Sequence, residues 1–114
     1  MKVLTREIAA RTPKLHETDG QGDSAIATAH YFFASWDWYM VELDESSMTA
    51  FGLVVGLETE LGYFNLREFE EINEKYGFDA VERDLYWKPK SIGEIKETEC
   101  NGRYSIDPAQ ESCA

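Results

Sequence analysis

Four runs of apolar residues at a spacing of two crowd into residues 25–64, and the gaps between them are too short to hold a helix. Parallel neighbours need a crossover of about a dozen residues or more, so this pattern confines the segment to an antiparallel meander. The first run, residues 25–33, places Ala25, Ala27, Ala29, Tyr31 and Phe33 on one face and Ile26, Thr28, His30 and Phe32 on the other. The second, Trp36 to Leu43, sets Trp36, Trp38 and Met40 against Tyr39, Val41 and Leu43. Both of its faces are apolar, which predicts a central strand covered on each side. In the third, Thr49 to Leu57, Phe51, Leu53 and Val55 alternate with Gly52, Val54 and Gly56. Those glycines either leave room for a large neighbour such as a tryptophan or mark a bulge. Glu60 to Phe64 is a fourth, shorter strand.

The helices are signalled by their ends. Thr5 is an N-cap for a short helix reaching Arg11, with Glu7 in its first turn, and Pro13 stops it. Gly20 and Gly22 make the segment after it a turn-rich loop. Asn65 and Glu68 stand as N-cap and N3 of the next helix, and Phe64 and Phe69 stand where a hydrophobic staple falls. Leu66, Phe69, Ile72 and Tyr76 recur at helical spacing, and Gly77 followed by Phe78 reads as a Schellman ending. Val81 to Trp87 is a fifth strand or an extended segment before Pro89, and Ser91 with Glu94 forms a capping box for a helix near 92–98. The fold class is therefore α+β: a four- or five-stranded, mainly antiparallel sheet with two or three helices, in the order α-β-β-β-β-α-(β)-α. Residues 1–98 make this single domain, and residues 99–114 are a polar C-terminal tail. A chain of 114 residues buries an ordinary core without metal or disulfide staples.

Charge narrows the partners. Between Lys14 and Arg67 the chain has no lysine or arginine, yet it carries Glu17, Asp19, Asp23, Asp37, Glu42, Asp44, Glu45, Glu58 and Glu60. The net charge is −11. A field of that sign repels phosphate, which argues against direct duplex DNA binding and against docking on anionic membranes, and it favours cationic partners. Asp37, Glu42, Asp44, Glu45, Glu58 and Glu60 are the candidates for an acidic partner-binding face, and the expected partner is a basic host protein or nucleoprotein complex. No stretch approaches the roughly 20 apolar residues of a membrane span. Charges follow Met1 at once, so no signal peptide is read and a cytoplasmic location is expected, with Cys100 and Cys113 as reduced thiols.

Catalytic motifs are weak by comparison. Asp19 and Asp23, near His16 and Glu17, have the oxygens a divalent cation wants, but their spacing is not that of an EF-hand and Asp-Gly turns account for them. Asp84, Glu94 and Lys96 loosely resemble a metal-dependent nuclease pattern, although Glu94 already serves the cap of Ser91. Asp19, Asp23, Glu82 and Asp84 are thus the metal-ligand candidates of an alternative nuclease reading. His30, in a strand among aromatics, is either a base or a hydrogen-bonded structural histidine. Tyr31, Trp36, Trp38 and Tyr39 lack the interleaved cations of a base-stacking platform, so they read as core or as a protein interface, including self-association as a homodimer. No cofactor is implied.

Leu4-Thr5, Gly20-Gln21-Gly22-Asp23, Trp38-Tyr39, Phe51-Gly52-Leu53-Val54, Glu60-Leu61-Gly62-Tyr63-Phe64 and Glu82-Arg83-Asp84-Leu85-Tyr86 together resemble a small domain family of unknown function carried by phages, plasmids and other mobile elements. The resemblance covers residues 3–96. Some members carry a single-stranded DNA endonuclease label without a catalytic residue set, so it transfers none. The resemblance implies a mobile-element accessory protein. Joined to the acidic segment, it leads to the expectation of a non-catalytic, nucleic-acid-mimicking inhibitor of a host defence complex, CRISPR or restriction. The alternatives are a metal-dependent single-strand nuclease and a self-associating structural protein.

Overall fold

The computed structural model describes residues 1–100, with side chains through Thr98. The expectations for the Cys100 and Cys113 thiols and for the tail from residue 101 fall outside it. The elements are α1 (Arg6–Arg11), β1 (Ile26–Ala27), β2 (Ala29–Phe33), β3 (Trp36–Asp44), β4 (Thr49–Val55), β5 (Thr59–Asn65), α2 (Leu66–Tyr76), β6 (Glu82–Arg83), β7 (Lys90–Ser91) and α3 (Ile92–Ile95). Five strands form one antiparallel sheet in the order β5-β4-β3-β2-β6, and β1 pairs with β7 in a second, two-stranded sheet. The fold is α+β, as the pattern predicts.

Local chemistry sets the helix ends. Thr5 Oγ1 accepts from Ile8 N at 3.2 Å and starts α1. Asn65 Oδ1 accepts from Arg67 N at 2.9 Å and Glu68 N at 3.3 Å and starts α2. The Phe64 and Phe69 rings stack 5.9 Å apart, closing the staple across that cap. Gly77 ends α2 at φ +78°, where its N–H donates to Asn73 O. Ser91 and Glu94 exchange both hydrogen bonds of the capping box at α3.

The large sheet is covered on both faces. On one face Ala29, Tyr31, Met40, Leu43 and Ala50 pack under Val3, Ile8 of α1, and Leu66 and Phe69 of α2. On the other, Tyr39, Val41, Leu53 and Val55 pack under Ala25, Ala27, Ile92 and Ile95. Burying one such large side chain stabilises the fold by about 1.5–3 kcal/mol, so this double cover accounts for the apolar pattern of β3 on both sides.

Three local expectations change in the structure and a fourth, for the β4 glycines, is met. Strict alternation predicts Leu43 on the side of Tyr39 and Val41, yet it lies with Met40. The pairing slips between Met40 and Glu42, so Val41 is the extra residue of a β-bulge and every later residue of β3 changes face. The two glycines of β4 divide the two roles predicted for them. A side chain at Gly52 would run into the Tyr39 carbonyl beside the bulge, and one at Gly56 would run into the Trp36 ring. The run 25–33 is not one strand. It breaks at Thr28, whose N–H donates to Met40 O at 2.8 Å and whose hydroxyl meets that of Thr12 at 2.6 Å. Ala25 and Ala27 therefore pack on one face of the large sheet and Ala29 and Tyr31 on the other. The predicted fifth strand shrinks to Glu82–Arg83, paired with Tyr31 and Phe32.

Candidate functional site

The acidic residues singled out from the sequence do not share one surface. Asp37 and Glu42 are only 6% and 2% exposed, so neither belongs to a solvent-facing acidic face. Asp44 and Glu45 lie at the β3–β4 turn, whereas Glu58 and Glu60 lie at the β4–β5 turn and the start of β5, at the opposite end of the meander. A seven-residue strand at about 3.3 Å per residue separates these turns by about 20 Å. Ser47 and Ser46 hydroxyls donate to Asp44 at 2.7 and 3.0 Å and hold its carboxyl below its ordinary value. Glu45, Glu58 and Glu60 are exposed.

Asp37 instead serves His30. The imidazole Nε2 sits 2.7 Å from Asp37 Oδ1, and Nδ1 sits 3.3 Å from Asp84 Oδ2. The ring stacks on Tyr39 at 4.4 Å and is flanked by Trp87 at 5.4 Å. Both ring nitrogens face carboxylates. Through these two contacts the cluster ties β2, β3 and the segment after β6 together. His30 is hydrogen-bonded as one of the two sequence alternatives expects, and its partners, 7 and 54 residues away, carry no sequence signal.

Glu42 does its work across the other half of the same face. The bulge turns its carboxylate toward the loop before β1, where it accepts from His16 N at 2.8 Å, from Thr18 N at 3.0 Å and from the Thr18 hydroxyl. Burial alone pushes its pKa up, but the Thr18 hydroxyl and the two backbone donors outweigh burial and hold it below the ordinary carboxylate value. The clamped loop forms one wall of a cleft of about 330 Å³. Asp19 and Gly20 stand on that wall, Val41 and Ile92 form its floor, and Phe51 and Leu61 form the side toward β5.

Beyond this cleft the sheet stops. β5 is the terminal strand, and its Leu61 and Tyr63 side chains are 48% and 58% exposed on the cleft side. Tyr63 leans on Phe51 with ring centroids 5.0 Å apart. Leu57, in the turn leading into β5, is 94% exposed between Gly56 and Glu58. Among the described residues, Glu58 and Glu60 form no ion pair. Among the described residues the site is thus a strand edge with no covering element, exposed apolar side chains, carboxylates without an ion-pair partner and an adjoining cleft. Sequence reasoning found Glu58 and Glu60 but missed Leu61, Tyr63 and Phe51. Their signal was present, because the last strand of a meander followed by a helix is a natural sheet edge.

The metal candidates are dispersed. Asp23 is held by Lys96 at 3.1 Å, Asp84 by His30, Asp19 faces His16 at 3.5 Å, and Glu82 is exposed on β6. Among the described residues no group of three His, Cys, Asp or Glu side chains is arranged to hold a metal ion. A larger groove of about 770 Å³ between the end of α1 and the β3–β4 turn is lined by Pro13, Lys14, Leu15, Leu43, Asp44 and Ser46. Trp38 packs on Phe69 at 4.7 Å as part of the core, with Trp36 stacked at 6.0 Å outside it. No helix among the described residues is long and apolar enough to cross a membrane.

The chain belongs to a family described as protein of unknown function (DUF2958), whose profile matches residues 2–94. No curated protein and no solved structure matches it.

Proposed function

We propose that this member of the family is a non-catalytic binding protein that docks on a basic surface of a host protein. The observation that carries this reading is the edge of β5, which no described residue covers, where Glu58 and Glu60 accompany exposed Leu57, Leu61 and Tyr63 and no lysine or arginine occurs from residue 15 to residue 66. Protein interfaces enrich aromatic and aliphatic anchors, and surrounding charge steers the encounter while setting its salt dependence. Four further carboxylates on α2, Glu68, Glu70, Glu71 and Glu74, are exposed and extend the negative field. A nucleic-acid-handling protein is the natural class of partner, since its phosphate-binding surface concentrates lysine and arginine. In a mobile-element setting, a host CRISPR or restriction complex inhibited through that surface is the specific form of the proposal.

The test is capture of host proteins on the tagged full chain at low and high salt, with retained proteins identified by mass spectrometry. Basic nucleic-acid-handling proteins retained at low salt, released at high salt and lost with a Glu58→Lys/Glu60→Lys variant are the expected result. Retention indifferent to both salt and charge reversal overturns the proposal.

A further inference from the structure

We infer that β5 is a docking edge for an extended basic segment of another protein, which adds a sixth strand to the large sheet. This deepens the basic-partner reading above and rests on it.

The pairing pattern shows which backbone groups are on offer. Leu66 N donates to Met48 O, and Gly56 N to Glu58 O, so the hydrogen-bonded positions of the β4–β5 ladder are the even-numbered residues of β5. In an antiparallel pair the alternate residues turn their N–H and C=O away from the partner strand. Thr59, Leu61, Tyr63 and Asn65 therefore present their backbone donors and acceptors to the open side. The same residues, opposite Val55, Leu53, Phe51 and Thr49, put their side chains on the cleft face. Backbone pairing capacity and exposed apolar surface thus coincide on Leu61 and Tyr63.

Natural sheets blunt a long edge with proline, lysine, a bulge or a covering element. The opposite edge of this sheet is blunted by brevity, since β6 has two residues. β5 has seven, contains no proline and no lysine, and pairs with β4 without a break in register. Its one charged side chain, Glu60, points to the other face, opposite Val54.

Charge selects the occupant. A second copy of this chain would bring another net −11 against the edge. An extended segment that alternates cationic and apolar residues meets no such repulsion. Its lysine or arginine side chains on one face reach Glu60. On the other face its apolar side chains lie over Leu61 and Phe51 toward the cleft. Main-chain pairing supplies affinity in such strand addition, and the alternating side chains supply selectivity.

The decisive experiment titrates the isotope-labelled full chain with a short peptide of alternating Arg and Val, and with the same peptide N-methylated on alternate residues to remove its backbone donors. The expected result is slowed hydrogen exchange at the Leu61 and Tyr63 amides and affinity reduced by about tenfold or more on N-methylation, since backbone bonds are what that change removes. Leu61→Lys and Tyr63→Lys leave the β4 pairing intact and should weaken the unmethylated peptide. Salt-dependent binding that is equal for both peptides and leaves β5 amides unprotected overturns strand addition and keeps the basic-partner reading. No binding of either peptide at low salt overturns both. Protection of the same amides by raising protein concentration alone, with a doubled sedimentation mass, shows that the edge pairs with a second copy and also overturns the inference.

Discussion

Replacing Glu42 with glutamine isolates the one buried carboxylate that shapes the candidate site. The carboxylate accepts three hydrogen bonds, from His16 N, Thr18 N and the Thr18 hydroxyl. A glutamine with its oxygen at the Oε2 position keeps both Thr18 donors, now on a neutral acceptor, and leaves His16 N facing its NH2 group. Losing the bond from His16 N to a charged acceptor costs about 1.5–3 kcal/mol and turning the two Thr18 bonds into neutral ones costs roughly 1 more, so Glu42→Gln should cost about 3 kcal/mol at neutral pH. With a urea slope of about 1.5 kcal/mol per molar, the unfolding midpoint falls by about 2 M. The pH dependence gives the idea its own check. The folded pKa of Glu42 lies below its ordinary value, so its contribution is fully present above the unfolded carboxylate pKa and fades as pH falls through the folded one. The gap between wild type and variant should therefore be widest near pH 7 and close in strong acid, where both side chains are neutral. Amide exchange should locate the loss at His16 and Thr18 before the sheet is affected. Equal midpoints at pH 7, or a gap that persists unchanged at the acid end, would refute the clamp.

Other substitutions probe the frame around the site. Gly52→Ala should destabilise by about 2–3 kcal/mol, and by more than Gly56→Ala in the same denaturation assay, because a side chain at 52 meets the rigid Tyr39 carbonyl while one at 56 meets the movable Trp36 ring. Tyr31→Phe should cost about 1 kcal/mol by removing the 2.7 Å bond to Val3 O, against about 3–5 kcal/mol for Tyr31→Ala in thermal melts, which would also open a cavity. Burial raises the Tyr31 pKa well above that of a free tyrosine, so ultraviolet titration should show its hydroxyl ionising only with alkaline unfolding. His30→Ala should destabilise by about 3 kcal/mol, since it withdraws a shared partner from both Asp37 and Asp84, and an Asp37→Asn/His30→Ala double-mutant cycle should show strong coupling.

The legible part of this protein is its short-range part. The caps at Thr5, Asn65 and Ser91, the Phe64–Phe69 staple and the Gly77 ending each join residues a few positions apart, so the sequence carries both partners of every contact. Antiparallel topology was equally legible, because the connections are too short for anything else. Tertiary packing decided the rest. The bulge at Val41 sends Glu42 to the cleft face, and no local pattern distinguishes a bulged strand from a regular one when both faces are apolar. Thr28 breaks the first strand because its hydroxyl finds Thr12, and Ile26–Ala27 then pairs with Lys90–Ser91. His30 finds Asp84 across 54 residues. The acidic segment divides in the same way. Its composition fixed the sign of the field, whereas the fold chose which carboxylates meet water, burying Asp37 and Glu42 as acceptors for His30 and for the loop while leaving Glu58 and Glu60 beside an open strand. A buried carboxylate needs donors and an exposed one needs none, and where those donors lie is a property of three-dimensional pairing rather than of the order of residues.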